Sequence, residues 1–197
     1  MVAPILVSAL PDAAPELAGH IIHNTVAGVT SKCHVAEALD LIPVASAADV
    51  NTGTEAIKAI TPDAFAASNF GIRLIEIKVV SDTTGLVVGN GKVTICIPAE
   101  MTGMNLVSAE AFVTTAATGG TIISIMIRNV TDTVDMLDTA ITIDAAEFTS
   151  YTADARSAVD VSEADVVTGD RIAIDIDAVG STLTGQGLGV ILGFQLP

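Results

Sequence analysis

Arg171-Ile-Ala-Ile-Asp-Ile-Asp-Ala-Val179 is the stretch that decides the fold class. Successive side chains of an extended chain point to opposite sides, so Ile172, Ile174 and Ile176 share one face and Ala173, Asp175 and Asp177 the other. A helix of 3.6 residues per turn would scatter those isoleucines around its axis. The β-branched residues are stiff at χ1 and pack well on a pleated surface. The segment predicts a half-buried strand with its aspartates on a solvated outer face. An inter-subunit contact is the alternative use of those carboxylates.

The same alternation recurs on either side. Arg73–Val79 sets Ile75, Ile77 and Val79 against Glu76 and Lys78, and Lys92–Pro98 places Val93, Ile95 and Ile97 together. Asn105–Thr115 is a longer strand, and Thr121–Val130 separates Ile123, Ile125 and Ile127 from Ser124, Met126 and Arg128. Val134–Asp144 reads as one strand or as two broken near Asp138, and Leu188–Leu196 is the last strand. Gly85, Gly119-Gly120, Gly180 and Gly185-Gln-Gly187 punctuate the strands, and Gly89-Asn90-Gly91 predicts a tight hairpin. Short strands at this spacing predict a mainly β domain over residues 72–197, an antiparallel β-sandwich of jelly-roll type.

Upstream the texture changes. Thr61-Pro62-Asp63 has the grammar of a helix start: a capping hydroxyl, a proline at the first helical position and an acid against the dipole. It predicts a short helix over 62–68 inside a connector, residues 46–71. Residues 1–45 contain Pro4, Pro11, Pro15 and Pro43, which forbid a long helix. They predict a small β-rich module with short strands such as Ile5–Ser8 and Ile21–Asn24, and a helical turn at Val35–Leu39.

Composition bounds the function. The chain of 197 residues is 50% hydrophobic but 3% aromatic, with no Trp and one Tyr, so its core is aliphatic. A net charge of −15 repels phosphate backbones and anionic membrane surfaces, which argues against nucleic-acid and membrane partners. No basic residue precedes Lys32, so the apolar start lacks the pattern of a secretory signal. Cys33 and Cys96 are isolated and carry no CxxC spacing, the pattern of buried apolar residues in a reduced compartment rather than of a disulfide.

Chemistry-bearing patterns are sparse. His20, His23, Cys33 and His34 include types that ligate zinc, but their spacing matches no finger, and adjacent strand residues diverge. Local packing is the expected role. Asp160–Asp170 lacks the ligand order of a calcium loop. Gly185-Gln-Gly187-Leu-Gly189 precedes a terminal strand, where a dinucleotide loop would need a helix. No hydrolase, zincin or nucleotide-loop motif is present, and nothing pairs two carboxylates as a glycosidase requires. Asn129-Val-Thr131 fits a glycosylation sequon by accident. The expectation is a non-enzyme with no catalytic, cofactor-binding or metal residues and no cofactor.

Several segments carry a resemblance. Met104-Asn-Leu-Val-Ser-Ala-Glu-Ala111, Gly119–Thr131, Val134-Asp-Met-Leu137, Thr142-Ile-Asp144, Val167–Val179 and Gly187–Pro197 together resemble a C-terminal β-sandwich domain of bacteriophage tail-fibre and head-fibre proteins. Asn51–Thr54, Lys58–Ala64 and Ser68–Gly71 are similar to segments upstream of phage fibre tips. Ser8–Pro11, Leu17–Gly19, Gly28–Thr30, Lys32 and Val35–Glu37 resemble a small N-terminal module of fibre and appendage proteins, from which His20, His23 and Cys33 depart. The resemblance implies a virion structural protein on the particle surface: a homotrimeric capsid-decoration (cement) or head-fibre protein, attached to the major capsid protein or another virion protein through residues 1–45. Its alternative is a tail or neck fibre whose tip recognises host glycan.

Overall fold

The computed structural model describes the backbone at residues 21–26 and 29–34 and the chain in full at 43–53 and 58–197. The chain divides into two compact units, Met1–Phe65 and Ala66–Pro197. The sequence expectation put the last boundary at 71/72, a few residues later. The expected strand Ile5–Ser8, the helical turn at Val35–Leu39 and His20 lie outside the described residues.

In the first unit, β1 (Ile21–Val26) pairs antiparallel with β2 (Val29–His34), Ile21 opposite His34 and Val26 opposite Val29. Next comes α1 (Ala47–Thr52), a helix the sequence reading passed over as polar connector. Its signal is a complete capping box: the Ser46 hydroxyl accepts from the Asp49 N–H, and the Asp49 carboxylate accepts from the Ser46 N–H at 2.9 Å. Gly53 closes it in the left-handed conformation. Asp49 also holds Lys58 Nζ at 2.9 Å. The Ser46 N–H, then the Lys58 ammonium, hold its carboxyl down to about 2. Finally α2 (Pro62–Ala66), whose last residue belongs to the second unit, begins as expected, with the Thr61 hydroxyl accepting from the Ala64 N–H at 3.2 Å, and it ends two residues earlier than expected.

The second unit is mainly β, and its paired strands are antiparallel. The strands are β3 (Arg73–Lys78), β4 (Gly89–Cys96), β5 (Met104–Thr115), β6 (Ile123–Asn129), β7 (Val134–Asp135), β8 (Leu137–Thr139), β9 (Ile141–Ile143), β10 (Ala158–Val159), β11 (Asp165–Val166), β12 (Arg171–Ala178) and β13 (Gln186–Gln195). One sheet runs β11-β5-β13-β3 and the other β4-β12-β6-β7, with β9 also on β6. β8 and β10 form a separate pair. Val134–Asp144 is therefore neither one strand nor two but three short pieces, because Met136 and Ala140 interrupt the pairing.

The inner faces of the two sheets meet in one aliphatic core. Ile77, Leu106, Ala109, Ala111, Val113, Leu188, Val190, Leu192 and Phe194 come from the first sheet. Ile123, Ile125, Ile127, Ile141, Ile143, Ile172, Ile174 and Ile176 come from the second. This is sandwich packing, and each buried aliphatic side chain contributes roughly 1.5–3 kcal/mol of transfer free energy. Phe194 is the sole buried aromatic.

Two expectations need correction here. Gly89-Asn90-Gly91 is not a hairpin turn. β3 and β4 lie in different sheets, and the glycines begin β4 as a bulge against β12, where Ile174 pairs Val93 but Ile176 pairs Gly89. Gly89 and Gly91 have φ of 151° and 60°, so the same backbone freedom that marks a hairpin serves a bulge instead. Cys96 is exposed rather than buried, because its neighbours Ile95 and Ile97 take the inward positions.

Candidate functional site

The sequence singled out the acidic outer face of β12, and its carboxylates have different fates. Asp175 is not solvated: its side chain is 5% exposed. It takes Arg128 Nε at 2.8 Å and Nη2 at 3.3 Å from the neighbouring β6, and the bulge turns the Gly91 N–H onto it at 2.5 Å. The hydrogen bond and charge of Asp175 hold the Arg128 guanidinium above its ordinary value. Asp177, two residues on, stays exposed. Partial burial, then repulsion from Asp175 and Asp135, pushes its carboxyl up. Period-two reasoning placed both aspartates on one face correctly. It missed that an arginine and a bulge would roof one of them.

Asp170 is buried as well. It accepts from the Val167 N–H at 2.9 Å and from Asn129 Nδ2 at 3.2 Å, while Asn129 Nδ2 also donates to Asp132 at 2.7 Å. The Asn129 carbonyl takes the Thr131 N–H at 3.0 Å. Asn129 is 1% exposed with its amide committed on both sides, so the sequon is sealed inside the fold. Asp160 caps its own turn: the Ser162 hydroxyl and N–H bond its carboxylate and lower it. Gly185 and Gly187, both at positive φ, form the entry to β13.

A second polar assembly lies in a loop that the sequence left unassigned. Ser150 is buried, accepts from the Ala111 N–H at 3.0 Å and donates to Glu110 at 2.5 Å. Arg156 binds the other Glu110 oxygen at 2.6 Å and the Tyr151 carbonyl at 2.7 Å. Its guanidinium lies 5.5 Å from the Tyr151 ring centre, within cation–π range. Tyr151 and Phe148 are each 55% exposed, held on a loop that β5 pins through Val113 N–H to Phe148 O at 2.8 Å. Four of the six aromatic residues, Phe65, Phe70, Phe148 and Tyr151, are exposed. No composition count reveals that, because it depends on which loops carry them.

Chemically, these assemblies position backbone and loops. The buried side chains of Asp175, Asp170, Asn129 and Ser150 each hydrogen-bond framework partners. No histidine follows His34, so the second unit has no imidazole base. His23, Cys33 and His34 sit on β1 and β2, with His23 in register with Lys32 and Cys33 with Ile22. Among the described residues, no three His, Cys, Asp or Glu side chains converge as metal ligands, and no helix is long and apolar enough to cross a membrane. Comparison with protein-family models, curated proteins and solved structures finds no match to this chain.

Proposed function

We propose that the chain is a structural component of a bacteriophage particle and not an enzyme. In this reading it is a homotrimeric capsid-decoration (cement) or head-fibre protein, attached to the major capsid protein or another virion protein through residues 1–45. The motif order of the resemblance suggests it. The observation that carries it is the fate of the polar groups in the second unit. The buried ones are spent holding the sandwich together, and what remains on the outside is contact surface, apolar at Phe70, Leu74, Val87, Val88 and Val161. The segments of the resemblance supply β5, β6, β12 and β13, the strands that build the core. The test is an immunoblot of purified particles: the protein co-purifies with them at a fixed copy number, and its absence from them refutes the reading.

One observation favours the alternative, a fibre tip that binds host glycan. Exposed aromatic rings stack on sugars, and Arg156 holds Tyr151 by its carbonyl and its ring on the loop that also carries exposed Phe148. Glycan-array binding by the full chain, abolished by Tyr151→Ala, would select this reading. An array without signal leaves the decoration role.

A further inference from the structure

β3 is an edge strand, and none of the described strands pairs with its outer side. Its inner side is fully engaged: Ile77 opposes Val190, Ile75 opposes Leu192, and the Val79 N–H donates to the Leu188 carbonyl at 2.9 Å. An antiparallel ladder alternates bonded and free residues. The odd-numbered residues therefore face β13, and the N–H and C=O groups of Leu74, Glu76 and Lys78 point outward. An open row of this kind is a template for another strand, and natural edges are commonly guarded by charge. Here the guard is self-complementary, because Glu76 and Lys78 carry opposite signs two residues apart on the same outer face.

We infer that β3 is a homotypic docking edge, at which a second copy of this chain adds its own β3 antiparallel about a two-fold axis at Ile77. Among the registers that keep the inner and outer faces aligned, three centre within Ile75–Ile77. An axis at Glu76 sets Glu76 against Glu76. An axis at Ile75 sets Glu76 against Leu74. The axis at Ile77 sets Glu76 against Lys78 of the second copy twice over, and each such pair exchanges backbone hydrogen bonds as well as charge. It also places Ile75 against Val79 of the second copy on the inner face, where both are only partly buried against the core. Lys78 already binds Asp82, but an ammonium has three donors, so the pairings are compatible.

Charge supports a second copy as the occupant. The chain carries −15 overall, which opposes self-association. The β3 edge is relieved of that balance: Arg73 and Lys78 against Glu76 and the Asp82 that Lys78 binds give +2 − 2 = 0. The inference is independent of the virion role. If trimers also form, this contact joins them in pairs, so assemblies contain an even number of chains.

Size exclusion with light scattering on the full chain tests it. The expected result is a dimer or an even multiple. Glu76→Lys or Lys78→Glu alone turns both ion pairs repulsive and weakens association about 30-fold, and the double swap E76K/K78E restores it. If a reversal disturbs folding by circular dichroism, Glu76→Gln gives the same test with a loss of about 5-fold. A monomer or a trimer as the sole species overturns the inference, as does an even assembly that ignores both reversals. Failure of the double swap to restore pairing also overturns it. So does capture of a foreign particle strand at β3 while the isolated chain stays single. None of these outcomes bears on whether the protein is found in purified particles.

Discussion

Remove the Arg128 charge while keeping its stem, with Arg128→Met, and the consequence falls on Asp175. That carboxylate is 5% exposed, so it keeps the Gly91 N–H and loses the cation paired with it. Stranding one partner of a buried pair costs about 3–5 kcal/mol. The reverse deletion is milder. Arg128 is 27% exposed and its long stem can carry the guanidinium out to water, and Asp175→Asn keeps an oxygen for Gly91. We expect about 1–2 kcal/mol for that change, the scale of a weakened hydrogen bond. The double variant R128M/D175N has no stranded charge, so it is more stable than R128M alone, a second mutation repairing the first. Urea unfolding followed by far-UV circular dichroism reads the order directly. At a slope of about 2 kcal/mol per molar, R128M lowers the midpoint by roughly 2 M. The reasoning is refuted if D175N costs as much as R128M, or if the two losses add.

Four further substitutions probe the same framework. Asp177 binds its proton more tightly folded than unfolded, so it favours folding below the unfolded value and loses that contribution as pH rises through the folded one. Asp177→Asn should therefore raise the melting midpoint at neutral pH and lose its advantage near about pH 3. Gly91→Ala meets open space but sits at φ 60°, a strain of about 1–2 kcal/mol. Gly189→Ala has no such strain yet drives its Cβ into the Phe112 ring, costing about 1–3 kcal/mol and displacing Phe112, which the loss of near-UV ellipticity would reveal. Phe194→Ala empties the largest fully buried side chain of the core, a loss of about 3–5 kcal/mol in denaturant melts.

Much of the sandwich was legible because alternation is a local property that burial enforces on every strand. Ile123, Ile125 and Ile127, and again Ile172, Ile174 and Ile176, are inward as read. What was misread depends on partners far along the chain. Gly89-Asn90-Gly91 permits a hairpin or a bulge equally, and only the pairing with β12 chooses. Asp175 looks like surface until Arg128 and Gly91, 47 and 84 residues away, close over it. Ser46 and Asp49 are different: their cap is local and readable, but alanine-rich polar sequence around it obscured the signal. The Glu110–Ser150–Arg156 assembly joins a strand to a loop across 40 and 46 residues, and no spacing rule anticipates it.

The first and last strands of the sandwich are neighbours, and Arg73 at the start of β3 lies opposite Phe194 near the end of β13. The chain thus enters and leaves this unit at one end, where Gln195 Nε2 clasps the carbonyls of Ala66 and Ser68, each at 2.9 Å. Tension applied across those two ends would peel the strands apart one ladder rung at a time, after the clasp gives way, rather than shear many rungs at once. Mechanically the unit is a zipper with a catch, suited to being held by one end with the other unloaded. A pulling experiment on residues 66–197 should find it yielding at low force, and doing so by release of β3 from β13 before the isoleucine core opens.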